Sequence, residues 1–289
     1  MEIKKILVPV MGHLRRSRPL EAAALLSKTL HAHIETLYVK PDLTEALRYA
    51  TGREPTAWMD ERMDAFTQEV ETMAAGAHTA FVGWAKRHGI TLEEFMKSPR
   101  PGPTCAWRHF TGTPLAAVAR LGRFCDLIVL ERPSPPAAVQ TDVVCAALFG
   151  ASRPVFLVPP EPPHELGSAG LVGWNGSQEA MRAMTSALPL LARMQRVVVL
   201  TIGAPEGDDP GDDRELLDYL ACHGVVAERM RMAADGRPAG ERLLHEAAAI
   251  GAGLLVMGGF THSRFREAVL GGATRYVLQA AALPVLLSH

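Results

Sequence analysis

Cysteine is scarce in this chain: four in 289 residues, at positions 105, 125, 145 and 222. None are spaced as CxxC and all sit in apolar or helix-like contexts, so reduced structural thiols are expected in place of a disulfide framework or a zinc cluster. Net charge is nearly absent too, since 30 Lys and Arg against 31 Asp and Glu leave −1. That balance gives no electrostatic reason to bind nucleic acid or an anionic membrane surface. A run of about 20 apolar residues, which a bilayer span requires, is missing. Met1-Glu2-Ile3-Lys4-Lys5 leads straight into an apolar segment without the pattern of a signal peptide. The expectation is a cytoplasmic protein with neither nucleic acid nor membrane as partner. What is present is ordinary for a globular protein, 48% apolar and 21% charged residues. The length suits two domains of about 140 residues.

Lys5 to Val10 is a continuous β-branched apolar run, Leu20 to Leu30 an Ala/Leu-rich helical stretch opened by Pro19, and His33 to Val39 a second strand. Strand, helix and strand with short connections make a βαβ unit, hence a parallel sheet. The segment from Pro41 to Pro103 departs from this rhythm. It holds a long Met- and Ala-rich helical stretch, Met59 to His88, in which Met63, Phe66, Val70 and Met73 share one face. It closes on the proline-rich loop Ser98 to Pro103. A short strand near Cys105 to Phe110, a helix from Pro114, a strand at Asp126 to Leu130, a helix from Val143 to Phe149 with Asp142 as its N-cap, and a strand at Pro154 to Val158 follow. Pro159-Pro160-Glu161-Pro162-Pro163 reads as a stiff linker.

The pattern then recurs. Leu171-Val172-Gly173-Trp174-Asn175-Gly176 answers Leu7-Val8-Pro9-Val10-Met11-Gly12 at an offset of 164, and Ile202 answers Val39 at 163. Gly236-Arg237-Pro238 answers Gly112-Thr113-Pro114 at 124, and Leu283-Pro284-Val285 answers Arg153-Pro154-Val155 at 130. The fall from 163 to 124 places 39 extra residues of the first copy between Val39 and Gly112. The chain reads as a tandem duplication with an α/β fold: two five-stranded parallel-sheet domains, residues 1–160 with a helical insertion at about 41–103, and residues 168–289, paired within the chain about a pseudo-twofold.

Leu254-Leu255-Val256-Met257 runs straight into Gly258-Gly259, and eleven residues later Gly271-Gly272-Ala273-Thr274 opens a helix whose apolar spacing is carried by Val277, Leu278 and Ala281. Glycines at a helix start expose unpaired N–H groups beside the positive end of the helix dipole, a place for phosphate. The plainer reading is that this loop needs glycine only for tight turns. Open parallel sheets bind ligands beyond the strand C-termini, where strand order reverses. The loops that meet there are Asn175-Gly176-Ser177 and Gly258-Gly259 in the second copy, Met11-Gly12-His13 and Glu131-Arg132-Pro133 in the first. The first copy has no glycine pair, a proline where close approach is needed, and Asp142 at its later helix start, where a carboxylate repels phosphate. A ligand is therefore expected in the second half only.

On these residues both halves resemble the universal stress protein family, of the adenine nucleotide α-hydrolase-like type, and the whole chain resembles its tandem members. The family pattern is Gly, two residues, Gly, nine residues, Gly, then Ser or Thr, with an acidic residue ending the first strand. Gly258 matches the first glycine and Gly271 the third; Thr261 stands at the second, Gly272 at the Ser/Thr position, and Asn175 at the acidic one. The resemblance implies ATP or a related adenine nucleotide as ligand, with Asn175 and Ile202 on the adenine side and Gly258, Thr261, Gly271, Gly272, Ala273 and Thr274 on the phosphate side. It also implies frequent dimerisation and leaves a homodimer open. The departures argue for micromolar or poorer affinity. Gly272 lacks a hydroxyl, a loss of about 0.5–1.5 kcal/mol for which Thr274 is a substitute, and a β-branched Thr261 is strained wherever a glycine had φ > 0. Trp174 either walls the adenine pocket or is a core aromatic at a strand end.

Other residues carry weaker signals. His262, Arg264 and Arg266 either meet a triphosphate or form a solvated basic loop. His31 and His33 lack a third metal ligand, and Ser177 has no histidine base and reads as an N-cap. The run from Asp208 to Asp213 lacks the EF-hand spacing. No positioned base, acid or metal–carboxylate pair supports an enzyme. Three readings remain: a stress-response protein holding a nucleotide in its second domain, a relative that has lost the nucleotide and acts through protein contacts, and, without such groups to support it, a nucleotide hydrolase or transferase of at most slow activity.

Overall fold

Runs such as Ile6-Leu7-Val8 and Leu254-Leu255-Val256 are apolar on both faces of a strand, which suits a sheet covered by helices on both sides. In the computed structural model, which describes residues 2–10, 14, 17–42, 60–93, 102–134, 138–203, 211–259 and 271–289, these runs are strands of one 11-stranded sheet. In chain order the strands are β1 (Lys5–Val10), β2 (His33–Lys40), β3 (Thr91–Leu92), β4 (Thr104–Thr111), β5 (Leu127–Glu131), β6 (Val155–Val158), β7 (Ala169–Trp174), β8 (Arg196–Ile202), β9 (Ala227–Met232), β10 (Leu254–Gly258) and β11 (Val285–Ser288). They lie in the order β3-β4-β2-β1-β5-β6-β11-β10-β7-β8-β9. Helices α1 (Arg18–Leu30), α2 (Asp60–His88), α5 (Gln178–Leu191) and α6 (Gly211–Cys222) supply the core on one face of the sheet. Helices α3 (Pro114–Leu121), α4 (Ala138–Cys145), α7 (Ala239–Ala249) and α8 (Gly272–Ala280) supply the other. The fold is α/β with a mostly parallel sheet.

Strand order and register repeat. In the first half Lys5 pairs with His33 and Ile6 with Leu127; in the second Ala169 pairs with Arg196 and Gly170 with Leu254. Ala169 and Gly170 lie 164 beyond Lys5 and Ile6, and Arg196 lies 163 beyond His33, so the sequence offsets carry the pairing of one half onto the other. Between the halves, β6 and β11 pair antiparallel, Phe156 opposite Leu286 and Val155 opposite Leu287. Phe156 and Leu286 are themselves related by the offset of 130, so the pseudo-twofold passes through this one pair.

The extra residues of the first half extend an element that the second half also has. Parallel strands need a crossover, and α2 sits between β2 and β4 as α6 sits between β8 and β9. Sixty-three residues separate β2 from β4 and 24 separate β8 from β9. Along α2 the buried side is Val70, Ala74, Ala77, Phe81, Trp84 and Ala85, with Phe66 and Met73 half-buried at its flank. The side chain of Met63 lies outside the described residues. Phe81 stacks on Trp84 at 5.6 Å and meets Trp107 of β4 at 5.1 Å, and Trp107 stacks on Tyr38 of β2 at 5.4 Å. The two-residue β3 adds a short strand at the outer edge of β4.

One helix start differs from expectation. Asp142 does not cap a helix beginning at Val143; α4 already runs from Ala138, and a π-helical turn carries it on through residues 146–150. Ala138, Val139 and Gln140 hold nothing that breaks a helix, and Gln140 Oε1 accepts the N–H of Ser134 at 2.9 Å, tying the preceding loop to its first turn. Of the two histidines weighed as ligands, His31 takes the left-handed position that ends α1, and His33 Nδ1 bonds Thr104 Oγ1 at 2.9 Å. Among the described residues no helix is long and apolar enough to cross a membrane.

All four cysteines are free thiols. Burial pushes the thiols of Cys105 and Cys125 up to about 12 and raises Cys145 as well, whereas Cys222 is exposed. Only thiolates react. At about pH 8 a thiol reagent should label Cys222 first in the native protein and reach Cys105 and Cys125 only on unfolding; rapid native labelling of either would contradict this packing.

Candidate functional site

Strand order reverses between β7 and β10: the chain leaves β7 toward β8 and β9 on one side and returns to β10 on the other. Ligand clefts form at such points, beyond the strand C-termini. Here the cleft has a volume of about 270 Å³. Its floor is Gly173, Trp174, Leu200, Ile202 and Met257 at the strand ends, and its walls are Ala239 and Leu243 of α7 and the first turn of α8. Gly173 is small for a reason, since a Cβ there would lie 3.0 Å from Leu243 Cδ2.

On the β7 side the chain turns through Asn175 and Gly176, the latter at φ 71°. Asn175 Oδ1 accepts the N–H of Ser177 at 3.2 Å, and Ser177 caps α5 by accepting the N–H of Ala180 at 3.1 Å. Ser177 is therefore a cap. On the β10 side Gly258 answers to packing: an added Cβ would come within 2.6 Å of Ala180 N and 2.8 Å of Glu179 C. The start of α5 crosses the end of β10 at backbone range, and only glycine fits. The N–H of Gly259 is committed to Ser288 O at 2.9 Å.

The first turn of α8 is different. Gly271 is its N-cap at φ −54°, with no side-chain cap bond. The N–H groups of Gly272 and Ala273 precede the reach of the intrahelical ladder, in which Arg275 N donates to Gly271 O at 3.0 Å. Elsewhere the helix is held. Gly240 lets α7 close on it, a Cβ there falling 2.5 Å from Ala273 O, and Thr274 is buried. At its far end, Arg132 of the first half donates from Nη1 to Leu278 O at 3.3 Å and to Gln279 O.

Seven of the eight expected site residues line this one cleft: Asn175, Ile202, Gly258, Gly271, Gly272, Ala273 and Thr274. Thr261, with His262, Arg264 and Arg266, lies outside the described residues, as do Met11, Gly12, His13, Asp208 and Asp209. Trp174 is a core aromatic at the strand end and also lines the cleft. Gly173, Leu200, Ala239, Leu243 and Met257 were not anticipated. A lone glycine inside an apolar strand was the available signal for Gly173. The described lining has no charged side chain. Arg242, one residue before Leu243, is turned away onto Asp235, whose carboxyl the Arg237 guanidinium holds down at about 2.

Residues 171–289 match the model of the universal stress protein family. No curated protein matches the chain. Among solved structures, a universal stress protein from Archaeoglobus fulgidus DSM 4304 is 17% identical, with 100% of this chain and 99% of that one covered and a TM-score of 0.69. A protein from Pseudomonas aeruginosa UCBPP-PA14, described as a universal stress protein, is 15% identical, with 99% and 93% covered and a TM-score of 0.57. At these identities the likeness is one of fold.

The glycines of the cleft should separate on mutation. Gly258→Ala, forced against the backbone of α5, is expected to cost about 1–3 kcal/mol. Gly272→Ala is expected to be neutral or to gain up to about 1 kcal/mol from helix propensity. Urea denaturation reads both; equal effects would refute the assignment of packing to one glycine and openness to the other.

Proposed function

We propose that the second half binds ATP or a related adenine nucleotide in this cleft, with phosphates on the first-turn N–H groups of α8 and the base against Trp174, Asn175 and Ile202. The protein is then a cytoplasmic stress-response protein that senses or carries a nucleotide, and not an enzyme. The observation that carries the reading is the pair Gly271 and Gly272. Neither has a positive φ, and among the described residues nothing lies within 4 Å of a Cβ built on either. Glycine is thus required there neither by the turn nor by described packing, and it leaves open the approach to first-turn amides that have no intrahelical acceptor and draw anions. The match of residues 171–289 to the universal stress protein family supports the same reading.

The first half offers less. The carboxylate of Glu131, at the end of β5, pairs with Arg18, and the next residue, Arg132, is turned onto α8. We therefore place the ligand in the second half only, with residues 1–160 and 168–289 as the two domains and the added length at 41–103 as a feature of the first. The edge strands β6 and β11 pair with each other inside one chain, so a homodimer would use another surface.

A ligand at a hundred times its dissociation constant stabilises a fold by about 2.7 kcal/mol. With a dissociation constant near 10 μM, about 1 mM ATP should raise Tm by several degrees. Gly271→Asp should remove that rise by setting a carboxylate where the phosphates sit. A wild-type protein with no shift and no binding heat in calorimetry would leave the reading in which the chain acts by protein contacts alone.

A further inference from the structure

The last turn of a helix has carbonyls with no intrahelical donor, and a side-chain cation is a favoured partner for them. In α8 the N–H of Ala281 takes Val277 O at 3.0 Å. The next two carbonyls, Leu278 O and Gln279 O, both go to Nη1 of Arg132. Arg132 belongs to the other half of the molecule. It follows β5 directly, its own N–H is fixed to Val158 O of β6 at 2.8 Å, and its Nε is buried without a partner among the described residues. Its guanidinium is therefore anchored at the seam and directed at one helix end.

The position has a meaning within the repeat. Ile6 is equivalent to Gly170, and they pair with Leu127 and Leu254 respectively. That makes Arg132 the counterpart of Gly259, five residues beyond each. The loop that borders the cleft in the second half is, in the first half, a support for the helix that forms the cleft.

We propose that Arg132 is a positioning residue for the second-half site: it fixes the far end of α8 so that the amides of Gly272 and Ala273 are set for phosphate. The proposal rests on the nucleotide reading above and extends it, giving the first half a part in binding that it does not perform itself. α8 has only nine residues, so with Ala273 held against α7 a tilt that starts at Leu278 and Gln279 turns the whole short axis and changes the direction in which the first-turn amides point. Phosphate bound to the first turn senses that tilt; a nucleoside held only at Trp174, Asn175 and Ile202 does not.

The test compares ATP with adenosine on the full chain, by calorimetry and ligand-detected NMR, in wild type, Arg132→Met and Arg132→Lys. Arg132→Met is expected to lose about tenfold in ATP affinity while adenosine stays within twofold, and Arg132→Lys, which keeps a cation, is expected to recover part of the loss. ATP affinity unchanged in Arg132→Met, or equal losses for ATP and adenosine, overturns the proposal and leaves Arg132 a structural tie. Should Arg132→Met not fold, the ATP-to-adenosine ratio of Arg132→Lys against wild type decides in the same sense. A wild type that binds neither ligand fails the nucleotide reading itself, and this proposal with it.

Discussion

Three residue pairs between β6 and β11 hold this molecule in its shape. Each half alone is a parallel sheet ending in a short, buried and largely apolar edge strand, Val155–Val158 in one and Val285–Ser288 in the other. Such an edge is a template for association unless it is covered. Here each covers the other, antiparallel and centred on Phe156 and Leu286. One continuous sheet results, with helices on both faces, and the core runs across the seam without a break. The seam also sets what the halves can reach: Arg132 on one side touches α8 on the other, and His289 after β11 packs its ring on Phe149 at 4.4 Å while its Nδ1 donates to Gly259 O at 3.2 Å. The loops after β5 and β10 are thus both held at the seam, one directly by Arg132 and the other through His289.

Within that frame the cleft is a consequence of strand order and of glycines with separate duties. Gly173 admits Leu243, Gly240 admits Ala273, and Gly258 admits the start of α5. Gly176 supplies a positive φ for the turn after β7. These four answer to packing or backbone geometry. Gly271 and Gly272 answer to neither among the described residues, and they stand at the start of α8. Among the described residues the cleft lining is uncharged, so what it offers an anion there is the dipole of the α8 start, beside an apolar floor.

Much of this was legible in the sequence because repetition carries register. The offsets of 164 and 163 map Lys5 and His33 onto Ala169 and Arg196, and those are pairs in the sheet. The cleft residues followed from the same logic, since the loops after equivalent strands must converge. Less legible were contacts that depend on how helices cross strands. Gly258 reads in sequence as a ligand glycine, and it also answers to a packing demand from α5, whose Glu179 lies 79 residues earlier in the chain. α4 starts earlier than its sequence suggests, because Asp142 is a good cap by type and type alone does not say that the helix is already under way. The reach of Arg132 across the seam depends on β6 and β11 being neighbours, which no local pattern states.

The central claim is that one end of one helix, α8, is a phosphate site served by both halves. Backbone amide NMR of the full chain titrated with ATP tests it most directly. The account predicts the largest shifts at Gly271, Gly272 and Ala273, with companions at Trp174, Asn175 and Ile202, and smaller ones at Leu278, Gln279 and Arg132 across the seam. Shifts confined to Glu131 through Ser134 and the first half, or none at Gly271 to Ala273 under saturating ATP, would contradict it.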